Sequence, residues 1–169
     1  MLTPILAKST CATCKFCCSF RRQSLWETPI FDKTTMEKLS KLFPNAKFRT
    51  AGASGLSYTF DISDAYHTQD PEEEAPCPFL DPNRGCALPA NLKPFDCKIW
   101  PLRAIRTSTD PDGPLKVALT PTCPAINKVP LEQVKQLAAS GLGQQIIDYA
   151  EKNPDIIKDS TPFLSNIVF

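Results

Sequence analysis

The sequence predicts a small α+β domain with short strands and hairpins, proline-rich loops and a C-terminal helical layer. Two segments in which apolar and polar residues alternate predict the strands. Proline occupies 17 of the 169 positions, about twice the usual ~5%, which favours extended segments and turns. Apolar residues with helical spacing after residue 130 predict the helical layer. We expect residues 1–128 to form a cysteine-cluster metal-binding domain and residues 129–169 to form a helical segment packed on the same domain.

A helix is expected shortly after the first cysteines. Thr34 and Glu37 have the spacing of a capping box, in which two side chains satisfy backbone N–H groups at a helix start. Apolar residues then share one helical face: Met36, Leu39, Leu42 and Phe43. Pro44 ends the helix.

Two hairpins are expected in the middle of the chain. Residues 47–50 and 56–62 flank a glycine-containing loop, and the second of these segments alternates as a half-buried strand does. Its apolar positions are Leu56, Tyr58, Phe60 and Ile62. Residues 102–107 and 115–120, joined by a turn at 110–113, form the second hairpin. Its return strand carries the chain back towards Cys123.

The C-terminal segment is predicted to be helical from Pro130, because proline is favoured at the first position of a helix. Gly141 and Gly143 are expected to kink or split this helix, and Asn153-Pro154 ends it.

The eight cysteines are the residues that best indicate a function. Cys11, Cys14 and Cys17 form a C-x2-C-x2-C run, in which each two-residue spacer lets a turn aim two sulfurs at one centre. Cys18 follows directly. Because adjacent side chains in an extended segment point to opposite sides, we expect Cys18 to face a second centre, a shared edge or the core.

The other four cysteines are scattered, with 8, 10 and 25 residues between them: Cys77, Cys86, Cys97 and Cys123. These gaps are too long for a zinc knuckle, so the fold must bring the sulfurs together. Two four-thiolate sites, or one cluster with extra thiols, are both compatible with this spacing. The alternatives without metal are buried packing thiols and a disulfide framework.

Both an iron–sulfur cluster and zinc accept four thiolates. The dense C-x2-C-x2-C run favours iron–sulfur, with [4Fe–4S] as the first choice, although the usual ferredoxin run continues with x3-C-P. Proline follows Cys77 and Cys123, as it does beside ferredoxin clusters. All eight cysteines are therefore candidate ligands of an iron–sulfur cluster, and zinc is the alternative.

Basic residues lie beside the cysteines in the sequence, whereas the acidic run at 72–74 lies apart from them. Cations lower the cost of an anionic four-thiolate site, although the same residues are equally typical of a solvated surface. They are Lys15, Arg21, Arg22, Arg84, Lys93, Lys98 and Arg103. The single histidine, His67, is expected at the surface more than as a ligand. Without a second histidine the chain offers no facial triad and no serine triad, so no catalytic residue is assigned.

Composition argues for a chain in a reducing compartment, and we expect a cytoplasmic location. No run approaches ~20 apolar residues, and the N-terminus lacks the charged and apolar regions of a secretory signal. The formal net charge is +1, which favours neither nucleic acid nor a membrane as partner. An unidentified protein or redox partner is expected instead.

The cysteine layout resembles that of the YkgJ-type cysteine-cluster family, bacterial and archaeal proteins described as zinc- or iron-chelating. The opening C-x2-C-x2-C-C run at residues 11–18 matches, as do the later motifs: Cys77-Pro78-Phe79-Leu80, Cys86, Lys93-Pro94-Phe95-Asp96-Cys97 and Trp100-Pro101-Leu102. Lysine replaces the family's usual arginine at position 93 and keeps the charge. The resemblance covers about residues 11–124 and implies a bound metal cofactor, iron–sulfur first.

The function expected from the sequence is thus that of an iron–sulfur protein in redox chemistry, electron transfer or cluster-assisted modification. A structural zinc module that presents a surface to a partner, or a protein of metal storage or delivery, are the alternatives.

Overall fold

The computed structural model describes residues 2, 5–106, 113–120, 122–159 and 167–169. Within these ranges the helices are α1 (Lys8–Cys14), α2 (Lys33–Leu42), α3 (Phe95–Ile99), α4 (Leu131–Leu137) and α5 (Gly143–Lys152). The strands are β1 (Ser19–Arg21), β2 (Lys47–Ala51), β3 (Ser57–Asp61), β4 (Glu74–Pro76), β5 (Leu80–Asp81), β6 (Gly85–Cys86), β7 (Leu102–Arg106), β8 (Lys116–Leu119), β9 (Lys158–Asp159) and β10 (Ile167–Val168). Helices combined with short antiparallel hairpins confirm the predicted α+β class.

The chain forms two compact units. We call Lys15–Cys97 the cysteine unit, and Met1–Cys14 together with Lys98–Phe169 the sheet unit. The boundary expected between residues 128 and 129 falls within the sheet unit, and that division stays a prediction. Among the described residues, no helix combines the length and the apolar character needed to cross a membrane.

Aromatic rings build the core of the cysteine unit. Phe79 is only 2% exposed, and its ring packs against four others at centroid distances of 5.1, 6.0, 6.1 and 6.1 Å: Phe43, Phe60, Phe31 and Phe48. Three of these four contacts are edge to face, an arrangement that the ring quadrupoles favour. Because Phe79 lies two residues after Cys77, this core fixes the backbone that presents the cysteine.

Helix α2 begins earlier than the sequence suggested. Asp32 caps it: its Oδ1 accepts the backbone N–H of Thr35 at 2.8 Å, and its Oδ2 accepts the Thr35 hydroxyl at 2.6 Å. The predicted capping box of Thr34 and Glu37 is therefore wrong, because Thr34 already lies inside the helix. An aspartate in the preceding extended residue satisfies the N-terminal N–H groups instead.

The inward face of α2 is predicted correctly except at one position. Leu39 is fully buried, and Met36 and Phe43 pack against the aromatic core. Leu42 is 57% exposed. At 3.6 residues per turn it lies about 120° around the axis from Met36, which places it outside the buried stripe.

The first predicted hairpin is present, since β2 and β3 pair antiparallel with Phe48 opposite Phe60. Phe60 and Ile62 are buried, as the alternation requires. Leu56 is 78% exposed, so its predicted inward position is wrong. It precedes the first paired residue of β3, where alternation no longer determines which face a side chain occupies.

The second predicted hairpin is present in the sheet unit, where β7 pairs antiparallel with β8. The strand order is β10-β8-β7-β9, and β9 pairs parallel with β7. Residues 107–112, which include most of the predicted turn, lie outside the described residues.

The C-terminal helix is split, as predicted. A wider π-type turn over Ala138–Leu142 separates α4 from α5, and Gly141 within it has φ 105°, a conformation that side chains rarely adopt. Gly143 keeps helical angles. A Cβ at Gly143 would lie 3.0 Å from the Ala138 carbonyl oxygen, closer than ordinary contacts, so glycine relieves crowding within the π-type turn.

Candidate metal centre

The first cysteines do not form an extended segment. Cys11 and Cys14 lie in α1, and a 3-10 turn over Phe16–Cys18 follows. Lys15, between the two helices, has φ 54°, an uncommon value for a residue with a side chain. This turn brings the Cys17 and Cys18 thiols into hydrogen-bond contact. The expectation that these two side chains point to opposite sides is therefore wrong, because it assumed a strand.

A short ladder joins Cys18 to Cys77. Strands β1 and β4 pair antiparallel with Ser19 opposite Pro76, and the ladder continues as the Cys77 backbone N–H donates to the Cys18 carbonyl at 2.8 Å. Two cysteines that are 59 positions apart in sequence thereby become neighbours across two strands.

A small hairpin places Cys86 next to the same ladder. Strands β5 and β6 pair Leu80 with Cys86, and the Leu80 N–H donates to the Cys77 carbonyl at 3.0 Å. Asp81 holds the turn, since its Oδ1 accepts the backbone N–H groups of Asn83 and Arg84 at 2.8 and 2.9 Å. Cys86 is exposed at the end of this hairpin.

Helix α3 supplies the fourth thiol. Cys97 lies in its middle and is partly buried. The neighbouring Asp96 anchors this region, because its Oδ2 accepts the backbone N–H of Ile30 at 2.9 Å. Lys93, just before the helix, is held by a backbone bond from its N–H to the Pro89 carbonyl at 3.0 Å.

Cys18 and Cys77 are neighbours across the ladder, and nearby charges act on the pKa of each. A hydrogen bond from Cys17 lowers the pKa of Cys18 to about 7, against the opposing effect of burial and with help from the Lys93 ammonium. Burial raises the pKa of Cys77 to about 12, and the negative charges of Cys18 and Cys86 add to that rise.

Cys97 belongs to the same set. Burial raises its pKa well above the ordinary value, and the charges of Asp96, Cys77 and Cys18 act in the same direction, while Lys93 opposes them. Cys77 thus interacts with Cys18, Cys86 and Cys97, and the ammonium group of Lys93 acts on Cys18 and Cys97. We call Cys18, Cys77, Cys86 and Cys97 the four-thiol set.

The four-thiol set fits a soft metal by its donor chemistry. Thiolates are the ligands that zinc and iron–sulfur clusters prefer, and a nearby cation offsets their charge. Among the described side chains, no group of three or more histidine, cysteine, aspartate or glutamate residues is arranged to hold one metal ion. The chemistry of the thiols thus suits a soft metal, whereas the described side chains do not form a coordination shell.

Of the remaining predicted ligands, Cys17 lies in the cysteine unit, and Cys11, Cys14 and Cys123 lie in the sheet unit. Cys14 is exposed in α1 and Cys123 is buried, and the Asn127 N–H donates to the Cys123 carbonyl at 3.1 Å. The backbone of Cys11 lies in α1, whereas its side chain is outside the described part of the chain. None of the seven cysteines with described side chains forms a disulfide. Metal binding by Cys11, Cys14 and Cys123 stays a prediction.

The acidic run at 72–74, which lies apart from the cysteines in the sequence, lies beside the β1–β4 ladder in the structure. Arg21 contacts Glu72 at 3.1 Å and Glu74 at 3.4 Å across the β1–β4 pair. Arg21 and its neighbour Arg22 are thus paired with carboxylates in the structure. Among the basic residues predicted to lie beside the cysteines, Lys93 favours the thiolate form of Cys18 and Cys97.

Glu73 has a positioning role that sequence analysis missed. Its carboxylate accepts the backbone N–H groups of His67 and Thr68 at 2.6 and 2.8 Å, and Arg22 lies 3.4 Å from it. The Arg22 guanidinium stacks over the Tyr66 ring at 4.7 Å. The His67 backbone donation is the main reason that the pKa of Glu73 falls to about 2. These contacts tie the loop before β4 to the residues that follow Cys18.

No family model matches the sequence, and no curated protein or solved structure matches it either. The resemblance to the YkgJ-type family therefore remains an inference from the quoted motifs. His67 is exposed, in agreement with the expectation for a surface histidine.

Proposed function

We propose that the cysteine unit binds an iron–sulfur cluster through the four-thiol set, and that the protein takes part in redox chemistry or electron transfer. One observation carries this proposal: separate elements of one unit bring Cys77 next to Cys18, Cys86 and Cys97, and Lys93 acts electrostatically on Cys18 and Cys97. Such a cluster, when bound, supplies a centre that accepts and releases an electron. The proline after Cys77 favours iron–sulfur over zinc.

The buried and the exposed cysteines of the four-thiol set would have different roles. Burial raises the pKa of Cys77 and Cys97, so a metal bound there would displace their protons and hold both sulfurs as thiolates. Cys86 is exposed and would form the edge nearest to a redox partner. Lys93 would offset the anionic charge, and charge and solvent exposure are among the factors that set a reduction potential.

The test is chemical analysis of anaerobically purified protein. We expect iron with acid-labile sulfide and a broad absorption band near ~400 nm. Cys77→Ser should abolish most of the bound iron, because serine is a poor ligand for a soft metal. Cys123→Ser, a buried cysteine of the sheet unit, is the matched control and should leave the iron of the cysteine unit in place.

Two outcomes would reject the proposal. Stoichiometric zinc without labile sulfide would replace the iron–sulfur centre by a structural zinc module, since zinc also accepts four thiolates. Protein that carries no metal under anaerobic conditions would reject both the iron–sulfur centre and the zinc module.

A further inference from the structure

Strand β8 has an apolar edge that a further strand must cover. In the order β10-β8-β7-β9, β10 covers the outer side of β8. Val117, Ala118 and Leu119 are all buried. An apolar strand whose outward N–H and C=O groups are uncovered is a template for pairing with another chain. The pairing of β10 with β8 therefore protects the sheet unit.

Strand β10 is short, and another copy of it can make the same contacts. Its two residues pair antiparallel with β8. One residue further, the Phe169 N–H donates to the Val117 carbonyl at 2.9 Å. Val168 is 46% exposed. Because β10 of a second chain offers the same backbone groups and side chains, it can replace β10 of the first chain without loss of contacts.

The connection that leads to β10 has few residues for the crossing it makes. Strand β9 pairs parallel with β7, whereas β8 is antiparallel to β7 and β10 is antiparallel to β8. Strands β9 and β10 therefore run in the same direction at opposite edges of the sheet. Parallel strands are usually joined by about a dozen or more residues. Seven residues separate Asp159 from Ile167.

The register gives the distance that this connection has to span. Asp159 lies opposite Arg106, whereas Ile167 lies opposite Leu119, which itself lies opposite Leu102. Along the sheet the two ends are thus separated by the rise from Leu102 to Arg106, about 13 Å at about 3.3 Å per residue. Three strand spacings of about 4.8 Å add about 14 Å sideways, so the direct distance is about 20 Å.

The path within one chain takes nearly the whole reach of the connection. Strands β7 and β8 lie between the two ends, so the path has to pass over the sheet. A layer that packs on a sheet lies about 10 Å from it, which lengthens the path to about 28 Å. The Cα–Cα steps from Asp159 to Ile167 together span at most about 26–29 Å. A longer connection or a second chain would remove this restriction.

We propose that two copies of this chain exchange their C-terminal strands, so that β10 of each copy covers the β8 edge of the other. The partner is a second copy because it alone supplies an identical β10, and the exchange forms a closed, symmetric dimer. Short connections under strain favour such exchange. The proposal concerns the sheet unit and does not depend on metal binding by the cysteine unit.

The test is the mass of the protein in solution, measured by light scattering in the presence of a reductant so that no intermolecular disulfide contributes. Wild type should have twice the 18.7 kDa of one chain. Insertion of about six glycine and serine residues within 160–166 should give a monomer, because about a dozen residues are enough for the crossing within one chain. The same insertion in the exposed loop at 52–56 is the matched control and should remain a dimer.

Hydrogen exchange of β8 gives a second readout. The insertion within 160–166 should leave the β8 amides as protected as in wild type, because β10 then covers the same edge within its own chain. A monomeric wild type, an insertion variant that remains a dimer, or a control insertion that also becomes a monomer would overturn the proposal. Loss of β8 protection in the insertion variant would do the same.

Discussion

The cysteine unit and the sheet unit are ordered in different ways. The described strands of the cysteine unit form three separate two-stranded pairs, whereas those of the sheet unit form one four-stranded sheet. A two-stranded hairpin is marginally stable in water, and more strands or a packed helix are needed for independent stability. The sheet unit has both, since α5 packs against β7 and β8. The cysteine unit has α2 packed on an aromatic core, three thiols where its short ladders end and a fourth thiol in α3.

This difference indicates what a metal shared by the thiols would contribute to folding. Cys18, Cys77 and Cys86 lie where short ladders end, so ligands shared by one centre would connect elements that few backbone bonds connect. If the unit binds metal as proposed, we expect that binding to be coupled to folding. The sheet unit has no comparable need, because its ladder and helices supply their own order.

The largest effect is expected from truncating the centre of the aromatic core. Phe79→Ala should lower the free energy of unfolding by about 3–5 kcal/mol, since it removes a buried ring that contacts four others. It should also reduce metal content, because the Cys77 backbone loses its support. Chemical denaturation and metal analysis measure the two effects.

Ile146→Ala is the matched change in the sheet unit, where Ile146 is fully buried in α5. It should destabilise by about 2–5 kcal/mol and leave metal content per folded chain unchanged. Loss of metal in this variant as severe as in Phe79→Ala would contradict the separation of the two units.

A smaller, pH-dependent effect is expected at Glu73. Its pKa is about 2 in the folded protein, chiefly because the His67 N–H donates to it, against about 4.3 in an unfolded chain. The stabilisation is thus present above the unfolded value and is lost as pH falls through about 2. Wild type should be more stable than Glu73→Gln at about pH 6, and the two should converge towards about pH 2. Denaturation midpoints at both pH values check this, and a constant difference would count against the carboxylate contacts.

The smallest effect is expected at the start of α2. Asp32→Ala removes the cap from Thr35 and should cost about 1 kcal/mol. Partial burial opposes ionisation of Asp32, but the hydrogen bonds from Thr35 outweigh it and hold its pKa below the ordinary value. Asp32→Asn, which keeps an acceptor, should retain most of the stability in thermal unfolding. An equal loss in both variants would show that capping is not the cause.

Much of the fold follows from local patterns. The alternation of apolar and polar residues predicted β3, and Phe60 and Ile62 are buried as it required. Glycine at position 141 predicted the break between α4 and α5. The incorrect predictions concern residues at the ends of helices and strands. Leu56 lies one residue outside its strand, and Thr34 lies just inside its helix.

The candidate site was harder to predict because long-range pairing builds it. Spacing grouped Cys17 with Cys11 and Cys14, whereas the β1–β4 ladder brings Cys18 next to Cys77. Nothing local to Ser19 or Pro76 specifies that pairing. The charge run at 72–74 was the available signal, since Arg21 and Glu74 are complementary and face each other across the ladder.

Hydrogen exchange before and after metal removal tests the central claim most directly, namely that metal bound by the four-thiol set orders the cysteine unit. Anaerobic protein is compared with the same protein treated with a chelator. We expect the amides of β1, β4, β5 and β6 to lose protection, while those of β7, β8 and α5 keep it. Unchanged protection in the cysteine unit after complete metal removal, or an equal loss in both units, would contradict the claim.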